Sequence, residues 1–305
     1  MKKGFVSVVT PCYNGERFIS KLLDSVLSQT YPHIEMYVVD DGSTDQSAEI
    51  IKSYIPKFTK KRYQLTYVHQ PNQGQSVAVR NGLAQVTGEY VVWPDADDYY
   101  HDKTCISEMV KVLDGSDDDV SMVRVQYRVR DENGAIIHSL GVNDDTRYKV
   151  DLFEDAIFGT NGFWYPPGGY MAKMSALDKH IPNREIYTEK TAGQNFQLYL
   201  PLLYKQKCLT IEQYLYSIVA HDDSHSRNVS TNDMRQAVYY RAIKHTLATL
   251  PLQRAYHKHL LKQVYQHTVG SVVKPRRFPL RTFIKRAIKA VMPYGVVMLY
   301  KRRQR

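Results

Sequence analysis

The densest group of potentially reactive side chains is the segment WPDADDYY (93–100), where three aspartates fall within four residues after an apolar run. Carboxylates this close repel one another, and burial would favour their protonated forms. A divalent cation resolves that conflict, and oxygen ligands suit Mg²⁺ or Mn²⁺, with phosphates completing the shell. The segment therefore predicts a metal site, although a solvated acidic turn that caps the helix starting near residue 102 fits the same pattern.

Two further segments have suitable chemistry for a nucleotide. In VVDDGSTD (38–45), a carboxylate after a strand can accept the N–H of a base such as uracil. The other reading is helix capping, which suits Asp45 or Ser43 better than the aspartates before Gly42. In HQPNQGQSVAVRN (69–81), a helix N-terminus can receive a phosphate and Arg80 can add charge, although an ordinary loop–helix junction has this composition too.

The elements that would position these segments alternate between strand and helix over the first 100 residues. Apolar runs predict strands and helical spacing predicts helices, and such units form a parallel sheet with helices on both faces. Ligands bind at the carboxyl ends of such strands, where the polar segments lie. The predicted strands are 5–11, 34–41, 64–70 and 89–95, and the helices are 16–29, 76–86 and one that begins after Asp45.

Beyond residue 115 the pattern is mixed. A hairpin turning at Asn133-Gly134 is predicted within 122–140, and a Gly/Pro/aromatic loop follows at 159–173. The remaining predictions are a helix kinked at Pro201 (192–206), a strand (208–220), a polar turn (221–227) and basic helical structure from Met234.

Composition and charge narrow the function classes. With 305 residues, 43% hydrophobic and 24% charged, the chain is globular. Three scattered cysteines exclude a disulfide framework and a zinc cluster. The N-terminal apolar run is too short for a signal peptide. A reducing, cytosolic location is therefore the default expectation. No acid follows Asp233, whereas residues 234–305 hold 17 Lys and Arg, which predicts a polyanionic partner.

The motifs in order resemble those of family-2 glycosyltransferases of the GT-A fold. The resemblance rests on SVVTPCYNGERFISKLLDSVLSQTY, EMYVVDDGSTD and NQGQSVAVRNGLAQVTGEYVVWPDADD. It is close over residues 4–115 and loose over 116–230. It implies an α/β GT-A fold, with a mostly parallel Rossmann-like sheet flanked by helices.

The resemblance also implies roles for individual residues. Asp97 would bind Mn²⁺ or Mg²⁺ directly, Asp95 would face the ribose and the metal, and Asp41 would read the uracil N–H. His221 or His225, in a segment similar to the family's His-x-x-Ser-x-Ser, would add a metal or diphosphate contact, or else be a solvated turn histidine. The remaining nucleotide-binding residues would be Thr10, Pro11, Tyr13 (stacking on uracil), Asn72, Gly74 and Arg80.

The general base departs from the family pattern. Where the family has Gly-Glu-Asp at the start of a later helix, this chain has Gly193-Gln194-Asn195, and an amide accepts no proton at neutral pH. The nearest carboxylate is Glu189, with Glu185 beyond it. Glu189 is therefore the candidate base, the alternative being a helix-start residue that favours the dipole. Trp164 and Tyr165 would either stack on an acceptor sugar or belong to the core.

The predicted activity is inverting, metal-dependent transfer from a UDP-sugar to a saccharide or lipid-linked acceptor in cell-surface polysaccharide synthesis. Processive members of the family carry a Gln-x-x-Arg-Trp pattern, which this chain lacks. The resemblance therefore implies that one sugar is added to each acceptor. The alternative is a catalytically inactive sugar-nucleotide-binding partner subunit. The predicted organisation is a GT-A domain over 1–230, with a nucleotide-binding half (1–115) and an acceptor half (116–230), then a basic helical extension over 231–305.

The basic extension predicts where the protein acts. Residues 271–305 hold 11 Lys and Arg and no acid, and apolar residues recur between the charges at helical spacing. That pattern favours an anionic membrane surface over nucleic acid. The longest apolar run, 290–300, is shorter than the ~20 residues that span a bilayer. The protein is therefore expected in the cytoplasm, peripheral at the inner face of the membrane.

Overall fold

The computed structural model describes residues 1–142, 146, 148–221 and 232–269, with side chains of the last segment described from Met234. These residues form strands β1 to β9: Lys2–Cys12, Ile34–Asp40, Gln64–His69, Gly88–Val92, Tyr99–Tyr100, Val120–Arg130, Ile136–Leu140, Tyr170–Lys173 and Lys207–Val219. They also form helices α1 to α9: Ile19–Leu27, Ser47–Lys60, Gln75–Gln85, Cys105–Asp114, Phe153–Phe158, Met174–His180, Asn195–Leu203, Asn232–Thr249 and Arg254–His267.

One sheet runs through the described residues, in the order β3-β2-β1-β4-β8-β6-β9-β5, with β7 paired to β6. The first four strands are parallel, as predicted. The second half is mixed, because β8 lies antiparallel between β4 and β6 while β6 and β9 are parallel. The predicted α/β fold is confirmed. Because β2, β1 and β4 are adjacent and parallel, the segments after Asp40 and after Val92 meet at one edge.

The helices follow from the apolar spacing of the chain. In α1, the fully buried Ile19, Leu22, Leu23 and Val26 recur at i, i+3, i+4 and i+7, which places one stripe against the sheet. Helix α7 is apolar on nearly all sides and is buried from Gln197 to Leu203. Pro201 lies inside this helix, at the position where a kink was predicted, and α7 continues to Leu203.

The C-terminal helices pack on the same core. Ile243 and Leu247 of α8, with Leu260 and Val264 of α9, are buried in the hydrophobic cluster that includes the sheet. The helical prediction from Met234 is thus confirmed for α8 and α9, while the domain boundary at residue 230 stays a prediction. Among the described residues, no helix has the length and apolar character that crossing a bilayer requires. The predicted amphipathic tail, 271–305, lies outside the described residues.

Candidate functional site

Three carboxylates form the centre of the site, in the turn between β4 and β5. Asp95, Asp97 and Asp98 each offer an oxygen, and these atoms lie within 4.8 Å of one another. Asp98 is buried and accepts hydrogen bonds from the Val219 amide (3.2 Å) and the Tyr216 hydroxyl (3.3 Å) of β9. Burial, followed by the charges of the other two aspartates, raises the pKa of Asp98 well above its usual value.

Asp95 is held by two glutamines from distant parts of the chain. Its Oδ1 accepts from Gln75 Nε2 at 2.7 Å and from Gln194 Nε2 at 3.2 Å. Burial first, and then the charge of Asp97, raise the pKa of Asp95 to about 7, although the two amide bonds act in the opposite direction. Without a cation, burial and the charge of Asp97 therefore favour the protonated form of this carboxyl group more than in a free aspartate.

Asp97 contacts the predicted histidine. His221 Nε2 lies 2.8 Å from Asp97 Oδ2. The imidazole is buried and packs on the Phe18 ring, with 4.3 Å between the ring centroids. The structure therefore brings together Asp95, Asp97 and His221, the three predicted metal ligands, whereas His225 lies outside the described residues.

The donor set of this centre fits a hard divalent cation. Three carboxylates supply oxygens within 4.8 Å of one another, and an imidazole adjoins them. Mg²⁺ and Mn²⁺ take such ligands and retain open positions for phosphate oxygens. A bound cation would also offset the repulsion that raises the pKa of Asp95 and Asp98.

Asp41 organises the loop between β3 and α3. Its buried carboxylate accepts from Gln70 Nε2 (2.7 Å), the Gln73 amide (2.9 Å) and the Gly74 amide (2.8 Å). Gly74 has φ +96°, and a Cβ there would lie 2.5 Å from the Lys190 carbonyl oxygen, so only glycine fits. Asp41 thus fixes the predicted nucleotide loop, and among the residues that the structure describes only the Gly74 amide donates to its Oδ2, which leaves one acceptor position there.

The loops after β1 and β2 bind each other. Asn14 Oδ1 accepts from the Thr44 amide at 2.8 Å, and the Asn14 amide donates to Ser43 Oγ at 3.0 Å. Asp45 Oδ1 accepts from the Ser47 amide at the start of α2, but the N-cap residue of this helix is Gln46, so the predicted N-cap at Asp45 is wrong by one residue. Together these bonds fix the edge of the sheet beside Asp41.

The predicted uracil loop divides into buried and exposed parts. Thr10 and Pro11 are buried in β1, paired with Val38 and Val39 of β2. Thr10 Oγ1 has no hydrogen-bond partner among the described residues. Tyr13 is 53% exposed, so its ring is available for stacking.

The contacts described for Arg80 and Asn72 involve residues other than Asp95, Asp97 and Asp98. Arg80 lies within α3, where its side chain bonds to Asn81 Oδ1 and lies 3.8 Å from Glu185 Oε2. Asn72 is in the loop that Asp41 holds, with its backbone against Gly42. Their predicted contacts with a sugar nucleotide stay predictions.

Glu189, the candidate base, is ion-paired. Its carboxylate binds the Arg241 guanidinium of α8 through both oxygens and also accepts from Tyr187 Oη (2.9 Å) and Thr191 Oγ1 (3.1 Å). The bonds from Arg241 are the main reason that the pKa of Glu189 is lowered. The backbone of Glu189 also contacts Ser76 Oγ, next to Gln75. This conformation places Glu189 close to the site but opposes proton uptake.

The aromatic loop contributes to the core. Trp164 is 4% exposed, with the Arg124 guanidinium 3.8 Å above its ring, and it belongs to the hydrophobic cluster. Tyr165 is partly buried and donates to the Ala156 carbonyl. Of the two alternatives for this loop, the described contacts favour the core.

The sequence patterns missed the two glutamines at Asp95. Gln75 and Gln194 lie 20 and 99 residues from it in the chain. In the sequence, Gln194 stands out only because it replaces a carboxylate, and Gln75 carries no signal of its own. A signal existed for Gln194, because an amide at the family's acidic position needs some partner when it is buried.

The comparisons identify the family. Residues 7–180, more than half of the chain, match the family model described as Glycosyl transferase family 2, and the chain therefore belongs to that family. The glycosyltransferase GlyA of Streptococcus pneumoniae is 43% identical over 94 residues, which are 31% of this chain and 13% of GlyA. An uncharacterized glycosyltransferase of Nostoc is 32% identical over 178 residues, 58% of this chain and 53% of that protein. The chain spans about half or less of the length of these relatives.

Solved structures confirm the GT-A fold. TarS (residues 1–349) of S. aureus, in complex with UDP-GlcNAc, superposes with a TM-score of 0.65 at 20% identity, covering 94% of this chain and 82% of that one. The mannosyltransferase PcManGT of Pyrobaculum calidifontis, in complex with GDP-Man and Mn²⁺, gives 0.56 at 17% identity, covering 98% and 79%. At these identities the likeness concerns the fold.

Proposed function

We propose that this protein transfers a sugar from a UDP-sugar to a saccharide or lipid-linked acceptor, with inversion at the anomeric carbon and with Mn²⁺ or Mg²⁺. The observation that carries the proposal is the carboxylate centre of Asp95, Asp97 and Asp98, next to the loop that Asp41 holds. Both lie at the carboxyl edge of the parallel strands, where such sheets bind ligands. Membership of family 2 supports sugar transfer.

Different residues of this chain would bind the nucleotide and the metal. Asp41 would accept the uracil N–H at its remaining acceptor position, and Tyr13 would stack on the base. Asp95, Asp97 and His221 would hold the cation. A cation bound there supplies positive charge to the departing diphosphate.

The acceptor hydroxyl needs a proton acceptor. Gln194 and Asn195 carry no charge, so we propose Glu189 for this role. Its proximity to Ser76 and thus to the α3 N-terminus supports the proposal, and its pair with Arg241 must open for the carboxylate to take a proton.

The proposal is tested by metal-dependent release of UDP. The purified chain is given UDP-glucose, UDP-galactose and their N-acetyl forms, with Mn²⁺, Mg²⁺ or EDTA, and hydrolysis alone is already informative. We expect release with at least one donor and loss of that release in EDTA. When a saccharide acceptor is added, proton NMR of the glycoside product reports its anomeric configuration. Release that persists in EDTA would contradict metal dependence, and retained configuration would contradict inversion.

A second candidate is a sugar-nucleotide-binding partner subunit without its own activity. The amides at 194 and 195 and the paired state of Glu189 favour it. Such a protein would bind UDP in calorimetry but release none from any donor. The two candidates therefore differ in turnover at equal UDP affinity.

We also propose a cytoplasmic location at the inner face of the membrane, through the basic segment 271–305. The charge of that segment supports the proposal, because each Lys or Arg near an anionic surface contributes ~1 kcal/mol. A lipid-linked acceptor would then share the surface with the enzyme. Nucleic acid is not among the proposed partners.

A further inference from the structure

Two amide side chains converge on one oxygen of Asp95. Gln75 is the first residue of α3, and Gln194 directly precedes α7. Both Nε2 atoms donate to Oδ1, at 2.7 and 3.2 Å. Among the described residues, hydrogen bonds to this carboxylate reach only Oδ1, so Oδ2 is left for another partner.

The amide of Gln194 has one workable orientation. The residue is 1% exposed, and exchange of its nitrogen and oxygen would set two acceptor oxygens against each other. In the observed orientation, Gln194 Oε1 is buried without a hydrogen-bond partner in the described part of the chain. An orphan acceptor of this kind destabilises the folded chain. The orientation that lets Gln194 Nε2 donate to Asp95 therefore leaves the Oε1 atom of the same side chain without a partner among the described residues.

Gln75 connects the loop that Asp41 holds with the Asp95 carboxylate. The Gly74 amide binds Asp41, and the next residue, Gln75, binds Asp95. One short loop thus sets the positions of both carboxylates.

We propose that Gln75 and Gln194 are positioning residues that hold Asp95 Oδ1 and thereby orient Asp95 toward the cation. This inference rests on the proposed metal-dependent function. It also gives the amide at position 194 a role, because a carboxylate there would face Asp95 as a like charge, whereas the amide donates. Metal-ligating carboxylates generally depend on such hydrogen bonds for their orientation.

The test replaces the donors by a side chain of similar volume. Gln194→Met and Gln75→Met remove one donor each, and Gln197→Met is the matched control. Gln197 is also a buried amide at the start of α7, but it donates to the Tyr187 and Gly193 carbonyls. The free Mn²⁺ signal in electron paramagnetic resonance, without nucleotide, gives the dissociation constant of Mn²⁺.

We expect Gln194→Met and Gln75→Met to raise the Mn²⁺ dissociation constant by about 10-fold or more, the usual effect of losing a hydrogen bond to a metal ligand. Gln197→Met should stay within about 2-fold of the unaltered chain. The affinity for UDP without metal should not change in Gln194→Met, and that readout separates positioning from general loss of structure.

Two outcomes overturn the inference: unchanged Mn²⁺ affinity in both glutamine variants, or an equal loss in Gln197→Met. If Gln194→Met fails to fold, the partly exposed Gln75 still decides the question. If the unaltered chain binds no Mn²⁺ at millimolar concentration, the proposed metal dependence fails together with this inference. If it binds Mn²⁺ and the variants match it, only the inference fails.

Discussion

The pair formed by Glu189 and Arg241 allows the candidate base to be tested by two opposite substitutions. Glu189→Gln keeps the shape and removes the proton acceptor, whereas Arg241→Gln keeps the carboxylate and removes its strongest partner. If Glu189 is the base, Glu189→Gln should lower turnover by about 100-fold or more at unchanged UDP affinity. Arg241→Gln should leave turnover unchanged or higher, because the pKa of Glu189 then returns toward its usual value.

The structure sets the size of the competing stability effect. The side chains of Glu189 and Arg241 are 22% and 45% exposed, so solvent screens their attraction. Partly exposed pairs stabilise the fold by about 0.2–1 kcal/mol. Loss of such a pair lowers the melting temperature of a chain of this size by roughly 2 °C. A 100-fold loss of turnover corresponds to about 2.7 kcal/mol in the activation barrier. The expected change in the activation barrier is therefore larger than the expected change in the free energy of unfolding.

The assay measures UDP release under saturating donor, with UDP affinity from calorimetry and melting temperature from calorimetric scans on the same preparations. Near-normal turnover in Glu189→Gln would remove the residue from the base role, and Glu185 would be examined next. Equal losses in both variants would also refute the reasoning. They would mean that the pair serves to anchor the 187–191 segment on α8 rather than to accept a proton.

Other predictions address the nucleotide, the metal and the membrane. Asp97→Ala should abolish transfer, a loss of ~3 kcal/mol or more in transition-state stabilisation, and should weaken UDP binding only when metal is present; more than about a tenth of the original turnover would contradict its metal role. Asp41→Ala should weaken the binding free energy of UDP by ~1.5–3 kcal/mol, with or without metal, and unchanged affinity in calorimetry would exclude Asp41 from the uracil site. Because Asp95 has a pKa of about 7 and must lose its proton to bind a cation, Mn²⁺ affinity should fall by up to about 10-fold per pH unit below 7; a flat profile from pH 5.5 to 8 would contradict this. Truncation after Lys274 should abolish cosedimentation with anionic vesicles at low salt, and equal binding by the truncated and full chains would refute the membrane role.

Local patterns in the sequence were sufficient for the first half of the fold. Strand and helix periodicity predicted the parallel strands β1 to β4, because each of these segments carries its own apolar run. The same order placed Asp41 and Asp95 at one edge, since parallel strands share their carboxyl ends. The antiparallel insertion of β8 between β4 and β6 was not predictable in this way, because the periodicity of a segment specifies neither the partner of a strand nor its direction.

The sequence by itself determined the family, the acidic centre and the amides at 194 and 195, because motifs within short segments carry that information. Only the tertiary structure decided what those groups face: Gln194 donates to Asp95, Glu189 pairs with Arg241, and His221 meets Asp97. Each of these contacts joins residues at least 52 positions apart. Their protonation states depend on burial and on the charges around them, and these exist only once the sheet and its covering helices have formed.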